Sequence, residues 1–267
     1  VICNICASTR WQVERSDVLG LDVDLRRCLS CGFKTYNRVL KSNAEAHSSV
    51  KMADRFFRYW TNMPSRQTRE QRASNERHAR ALYVRLLDRL QSHAARPLVD
   101  LFDVGSGWGR FMVVAKEEGF SVAGCDINPR EAENGRSIGL DVQAGDFTTV
   151  DVQSESWDVV AMLDVLEHVW TPREFVEKAV GMLRPGGLLL VKTFYDEYHD
   201  EVPVDLSAGA PRYGTDGPNR GYFDPICHPS HFTRPVLRWL LERCGLSLID
   251  EEVERSCGQV TLVGRKG

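Results

Sequence analysis

The chain has 267 residues, 42% of them hydrophobic, which fits one large domain or a medium domain with a small module and excludes disorder, collagen-like repeats and a disulfide scaffold. With 34 Lys and Arg against 37 Asp and Glu the formal charge is -3, which excludes whole-molecule electrostatic attachment to nucleic acid or an anionic membrane. No apolar run approaches the roughly 20 residues of a bilayer span and residues 1–30 hold no signal-peptide apolar region, so the chain is expected to be soluble and cytoplasmic.

Four of the eight cysteines form two Cys-x-x-Cys pairs, Cys3 with Cys6 and Cys28 with Cys31. Each pair can make a tight knuckle aiming two thiolates at one point, and two knuckles complete the tetrahedron that zinc prefers. Reduced buried cysteines or a redox pair are the other readings of that spacing. Short strands are expected over 11–13 and 21–25, and residues 1–40 have too little core to fold without a staple, so the zinc would be structural. A set of four cysteines also leaves no open coordination position for catalysis.

Residues 41–96 read as helical and polar, with Ala79, Leu82, Tyr83, Leu86, Leu87 and Leu90 at helical spacing. Arg66, Arg69, Arg72, Arg77, Arg80, Arg85, Arg89 and Arg96 form a basic stripe there, either a solvated face or a surface for a phosphate backbone.

Strands and helices alternate from residue 97 to the end. Strands are expected over 98–104, 121–127, 141–144, 157–163, 188–193, 246–253 and 259–264, and helices over 111–118, 129–138, 172–183 and 233–244. That rhythm predicts an α/β fold with a doubly wound, mostly parallel sheet. Residues 194–232 interrupt it with many Pro, Gly, Tyr and His residues, longer than an ordinary connection, and are expected to form a substrate-recognition insertion.

The turn after the first of these strands holds Gly105, Gly107 and Gly109, which let the backbone bend sharply and approach a ligand. A dinucleotide fingerprint would want glycine at 110, where this chain has Arg110. Asp103 suits a ligand with a cationic amino-acid end or a sulfonium, such as S-adenosylmethionine, better than a pyrophosphate. Asp126 stands 21 residues after Gly105, where a carboxylate accepts from both ribose hydroxyls. Asp146 is positioned to accept from an adenine amino group with Phe147 against the base, or the two are a turn-forming acid beside a core ring.

Together, DVGSGWGRF at 103–111, CDI at 125–127, GDF at 145–147, LDVLEHV at 163–169 and LRPGG at 183–187 resemble the class I S-adenosylmethionine-dependent methyltransferases. The resemblance implies their Rossmann-like seven-stranded sheet with an antiparallel last strand. It gives Asp103, Gly105, Gly107 and Gly109 to the methionine end, Asp126 to the ribose, Asp146 and Phe147 to adenine, and Leu163 to the cofactor wall, with Ile127 also among the cofactor-binding residues. The N-terminal CNIC and RRCLSCGF are similar to the zinc-ribbon start of bacterial methyltransferases acting on nucleotide-linked sugars and other natural-product intermediates. The implied partner is a small-molecule methyl acceptor; nucleic acid is the alternative, as an RNA methyltransferase, and a non-catalytic S-adenosylmethionine-binding protein is a third reading.

A hydroxyl or carbon acceptor needs a positioned base, most often histidine. The insertion supplies His199, His228 and His231 with Tyr222 beside them. His228 is favoured over His231, the other reading being that one or both buttress the helix after Thr233. His168, in the LDVLEHV motif, is a structural or catalytic candidate.

Overall fold

The structure, a computed structural model, describes residues 2–16, 23–37, 69–196, 228–255 and 257–267. Its main body is a seven-stranded sheet built from β4 (Asp100–Val104), β5 (Ser121–Asp126), β6 (Asp141–Ala144), β7 (Trp157–Leu163), β8 (Leu183–Phe194), β10 (Leu246–Glu254) and β11 (Gln259–Lys266). The strand order is β10-β11-β8-β7-β4-β5-β6. β4, β5, β6, β7 and β8 pair in parallel, and β11 runs antiparallel to both β8 and β10. The order reverses between β4 and β7, so a ligand crevice is expected at the carboxyl ends of those strands.

The apolar runs of the central strands are buried on both faces, and alternate residues go to different layers. Phe102, Val104, Val160, Met162, Leu189 and Val191 face α4 (Pro172–Met182) and α5 (Arg234–Arg243). Leu101, Val159, Ala161, Leu188 and Leu190 face α1 (Arg69–His93) and α2 (Arg110–Glu117). Leu86, Leu87 and Leu90 form the buried stripe of α1, each worth roughly 1.5–3 kcal/mol of burial, which fixes this long polar helix to the sheet. Between β5 and β6, α3 (Pro129–Ser137) starts at Asn128, whose side chain accepts from the Arg130 N–H at 3.1 Å.

The LRPGG stretch lies inside β8 rather than before it. Leu183 already pairs with Trp157, Leu188 with Val159, and the extra residues are taken up at that irregularity, with Gly186 at φ 76°.

The cysteine-rich segment forms β1 (Trp11–Arg15), β2 (Leu25–Cys28) and β3 (Lys34–Tyr36). Of the strand expected over 21–25, only Leu25 is in a strand among the described residues, and β2 continues into the second knuckle. The sheet has a fourth member that the sequence did not signal: β9 (Ser230–His231), from the end of the insertion, pairs with Thr35 and Lys34 of β3. Ile5 and Phe33 share one continuous core with Phe232, Val236 and Leu237, and the Phe33 and Phe232 rings lie 5.4 Å apart. Among the described residues no helix is long and apolar enough to cross a membrane.

Candidate active site

The loop after β4 is held by β5. The N–H groups of Gly105 and Ser106 both donate to the Cys125 carbonyl, at 2.8 and 3.0 Å. Gly105 sits at φ 68°, and a Cβ there would come within 2.8 Å of Val165, so the position requires glycine on two counts. Gly107, at φ 55°, has nothing within 4 Å of such a Cβ, so the crest of the loop faces open space, whereas at Gly109, φ 89°, a Cβ would run into the Leu140 side chain. Asp126, at the end of β5, braces that crest: one carboxylate oxygen accepts from the Gly107 N–H and the other from the Asn128 N–H, each at 2.8 Å. Each oxygen retains acceptor capacity for a ligand hydroxyl. Burial lifts the Asp126 carboxyl above its usual range, against the lowering effect of those two amides.

Asp103 is buried one residue before the end of β4. Burial first, and the charge of Asp126 second, hold its carboxyl well above the usual range. Among the described residues no hydrogen bond offsets that cost. A cationic group resting on the loop would relieve it, which is the observation that fits an ammonium- and sulfonium-bearing ligand here. The neighbouring Cys125 thiol is pushed up to about 12 by burial, so it is no nucleophile at neutral pH.

The α1 helix borders the same end. Tyr83 packs on Phe111 with ring centroids 5.4 Å apart, and Arg110, which replaces the dinucleotide glycine, pairs with Glu76 of α1 at 2.6 Å. Burial raises the Tyr83 phenol, which also feels Arg110, Asp103 and Asp164.

Ile127 and Leu163 are half-buried at the ends of their strands. Asp146 is exposed and accepts from the N–H and the hydroxyl of Thr148, both at 2.8 Å, forming a turn. Phe147 is buried in the core, its ring 5.4 Å from Phe175 and 6.4 Å from Phe102. Asp146 thus forms a turn, and the Phe147 ring beside it packs among core rings.

Past Leu163 the chain carries Asp164, a non-glycine residue at φ 57°. Its Oδ1 accepts from Gln259 Nε2 at 2.7 Å and from Lys192 Nζ at 3.4 Å, tying the ends of β7, β8 and β11 together. Glu167 follows, buried, with Thr193 donating to it at 2.7 Å. Asp164 and Glu167 lie inside the LDVLEHV motif, yet nothing in their spacing distinguished them from its other residues.

Burial, assisted by the Asp164 charge, pushes the Glu167 carboxyl up to about 8 from an ordinary 4.5. Between those two values the unfolded chain has released this proton while the folded chain keeps it, so stability falls as pH rises and the whole cost is present above pH 8. The Glu167→Gln variant is expected to remove a penalty on the order of 4 kcal/mol at pH 8.5 and nothing at pH 4. Urea unfolding at both pH values measures this, and equal gains at both would contradict it.

Two of the candidate histidines meet at the carboxyl ends of β7 and β8. The rings of His168 and His228 lie 4.8 Å apart, with Phe194 5.8 Å from His228, and both histidines are half-buried. His231 is fully buried in β9, 3.9 Å from the Asp196 carboxylate and edge-on to Tyr36 at 5.6 Å. Three residues of separation thus put one histidine at the sheet mouth and the other in the seam with the cysteine-rich sheet. Tyr222 and His199 lie outside the described residues.

The Sγ atoms of Cys3, Cys6, Cys28 and Cys31 all lie within 4.8 Å of one another, with Cys3–Cys31 at 3.7 Å and Cys6–Cys28 at 3.6 Å. A disulfide would need about 2.05 Å, whereas ligands about 2.3 Å from a tetrahedral zinc stand about 3.8 Å apart. The turn at Gly32, with φ 85°, and the Ser30 N–H donating to Cys28 Sγ at 3.4 Å complete the second knuckle. The donor set and its spacing fit zinc.

Four of the eight arginines of the basic stripe pair with acids of the chain itself. Arg80 pairs with Glu117, Arg85 with Glu252, Arg89 with Asp250 and Glu252, and Arg96 with Asp158. The three acids at 158, 250 and 252 are far away in sequence, so the pairing was invisible in the helix itself. Arg77 is exposed, and the side chains of Arg66, Arg69 and Arg72 lie outside the described residues.

The family profile described as a methyltransferase domain matches residues 69–251. A ubiquinone biosynthesis O-methyltransferase of Chelativorans is 32% identical over 108 residues, covering 38% of this chain and 43% of that protein. One from Parvibaculum lavamentivorans is 28% identical over 112 residues, covering 39% and 44%. The chain thus spans less than half the length of these curated relatives. Among solved structures, the 1,6-didemethyltoxoflavin-N1-methyltransferase of Burkholderia thailandensis, with bound S-adenosylhomocysteine, superposes with a TM-score of 0.55 at 19% identity, covering 92% of this chain and 96% of that one. An amino pentose methyltransferase from Micromonospora echinaspora gives 0.56 at 17% identity, covering 75% and 98%.

Proposed function

The chain belongs to the methyltransferase-domain family, and from that premise we propose that it transfers a methyl group from S-adenosylmethionine to a small-molecule acceptor, a nucleotide-linked sugar or other natural-product intermediate. The observation that carries this reading is the pair of acids around the glycine loop: Asp126 braced by two backbone amides with acceptor capacity to spare, and Asp103 buried with no compensating partner among the described residues. When bound, S-adenosylmethionine supplies an electrophilic methyl carbon on a sulfonium, and methyl transfer is an in-line displacement. The protein's task is alignment and exclusion of water. Asp103 and the open crest at Gly107 hold the cationic end, and Asp126 accepts from the ribose hydroxyls. His228, its ring tilted against His168, would take the acceptor's proton as the new bond to the methyl carbon forms and the carbon–sulfur bond breaks, releasing S-adenosylhomocysteine.

The pairing of Arg80, Arg85, Arg89 and Arg96 with acids of the chain weighs against a phosphate-tracking surface. A transfer assay with labelled methyl groups over sugar, phenol and RNA acceptors tests the reading. Label on a small acceptor is expected; label on RNA alone, or on nothing while the cofactor binds, would overturn it.

The four cysteines would hold a structural zinc, which closes the two knuckles and leaves no open coordination position. One zinc per chain is expected by elemental analysis, and Cys28→Ser is expected to lose it together with about 2–5 kcal/mol of stability. A metal content unchanged in Cys28→Ser would contradict the assignment.

A further inference from the structure

The cysteine-rich sheet and the insertion are joined on both sides of residues 197–227. Before that stretch, Asp196 is fully buried, its carboxylate 3.0 Å from Lys34 Nζ on β3, and its N–H donates to the Phe232 carbonyl at 2.7 Å. After it, Ser230 and His231 pair with Thr35 and Lys34, and the Thr35 hydroxyl donates to the Pro229 carbonyl at 2.8 Å. Lys34 also reaches Glu14 of β1 at 3.3 Å. The side chain of Lys34 is only 6% exposed, so this cation is committed to the seam. From the other side, Ser230 donates to the Val169 carbonyl at 2.6 Å, next to His168. His228 precedes this ladder by two residues, and β3 begins three residues after Cys31.

We propose that Lys34 is a positioning residue, and that through its buried pair with Asp196 and the β3–β9 ladder the metal-loaded cysteine sheet sets where the His228 ring stands against His168. This rests on the reading of His228 as the acceptor's base. The cofactor loop lies on β4 and β5, which share no ladder with β3 or β9 among the described residues, so cofactor affinity is expected to change little when the tie is cut.

The test uses the full chain in four forms: zinc-loaded parent, chelator-stripped parent, K34R, and the K34M/D196N double variant, which removes both charges together and so avoids stranding one of them. Hydrogen exchange is followed at Thr35, Ser230 and His231 and, for reference, in β4. Stripping and K34M/D196N are each expected to speed exchange at the three ladder amides by about ten-fold or more, with β4 unchanged. S-adenosylmethionine affinity is expected to stay within about two-fold, while kcat falls about 100-fold, as for an ångström-scale misplacement of a reacting group. K34R is expected to stay near the parent. Ladder amides that keep their protection after stripping, or β4 amides that accelerate equally, would overturn the proposal. The exchange readout needs no acceptor, so it decides the tie even if methyl transfer itself is not found.

Discussion

The Asp126→Ala variant is expected to lose measurable S-adenosylmethionine binding, a drop of about 100-fold or more in affinity. Two hydrogen bonds from ribose to a charged acceptor are each worth about 1.5–3 kcal/mol, and every 1.4 kcal/mol is a factor of ten. The same truncation strands the Gly107 and Asn128 N–H groups that the carboxylate now satisfies, so the loop crest loses its brace. Asp126→Asn is expected to fall close behind. Its amide must turn an NH2 toward one of those two N–H donors, whichever way it is flipped. Because burial raises the Asp126 carboxyl, affinity is expected to decline on acidification earlier than for an ordinary aspartate. Calorimetry on folded variants measures all three; a parent-like affinity in Asp126→Ala would remove this residue from the cofactor site.

The His228→Gln variant is expected to lower kcat by about 10²–10⁴-fold while leaving cofactor affinity unchanged, the usual size of a general-base contribution. His168→Gln is expected to have a smaller effect, through the ring it supports 4.8 Å away. His231→Gln should act differently again. Its ring is wholly enclosed between Tyr36 and the Asp196 region, so its loss is expected in the melting temperature more than in kcat. A steady-state comparison of the three variants separates the roles. A fall confined to His231→Gln would reverse the assignment.

The main sheet was legible from the chain because apolar runs, glycine turns and strand-end acids are local signals imposed by backbone geometry. Gly105, Gly107, Asp126 and the two cysteine knuckles could be found for that reason. β9 could not. It is two residues long, contains a serine and a histidine, and exists only because β3 offers it an edge. The different surroundings of His228 and His231 had the same limit, since the burial of His231 comes from the β3 edge and from Tyr36, which are distant in the chain. Phe147 and the arginines of α1 were ambiguous for a related reason: the core ring at Phe175 and the acids at Asp158, Asp250 and Glu252 are supplied by distant segments.

Titration of the purified full chain with S-adenosylhomocysteine, and in parallel with NADH, bears most directly on the identity of the ligand at the glycine loop. Saturable heat at one site per chain for S-adenosylhomocysteine, lost in Asp126→Ala, with none for NADH, is the expected result. Binding of NADH with no response to the adenosyl ligand would contradict it.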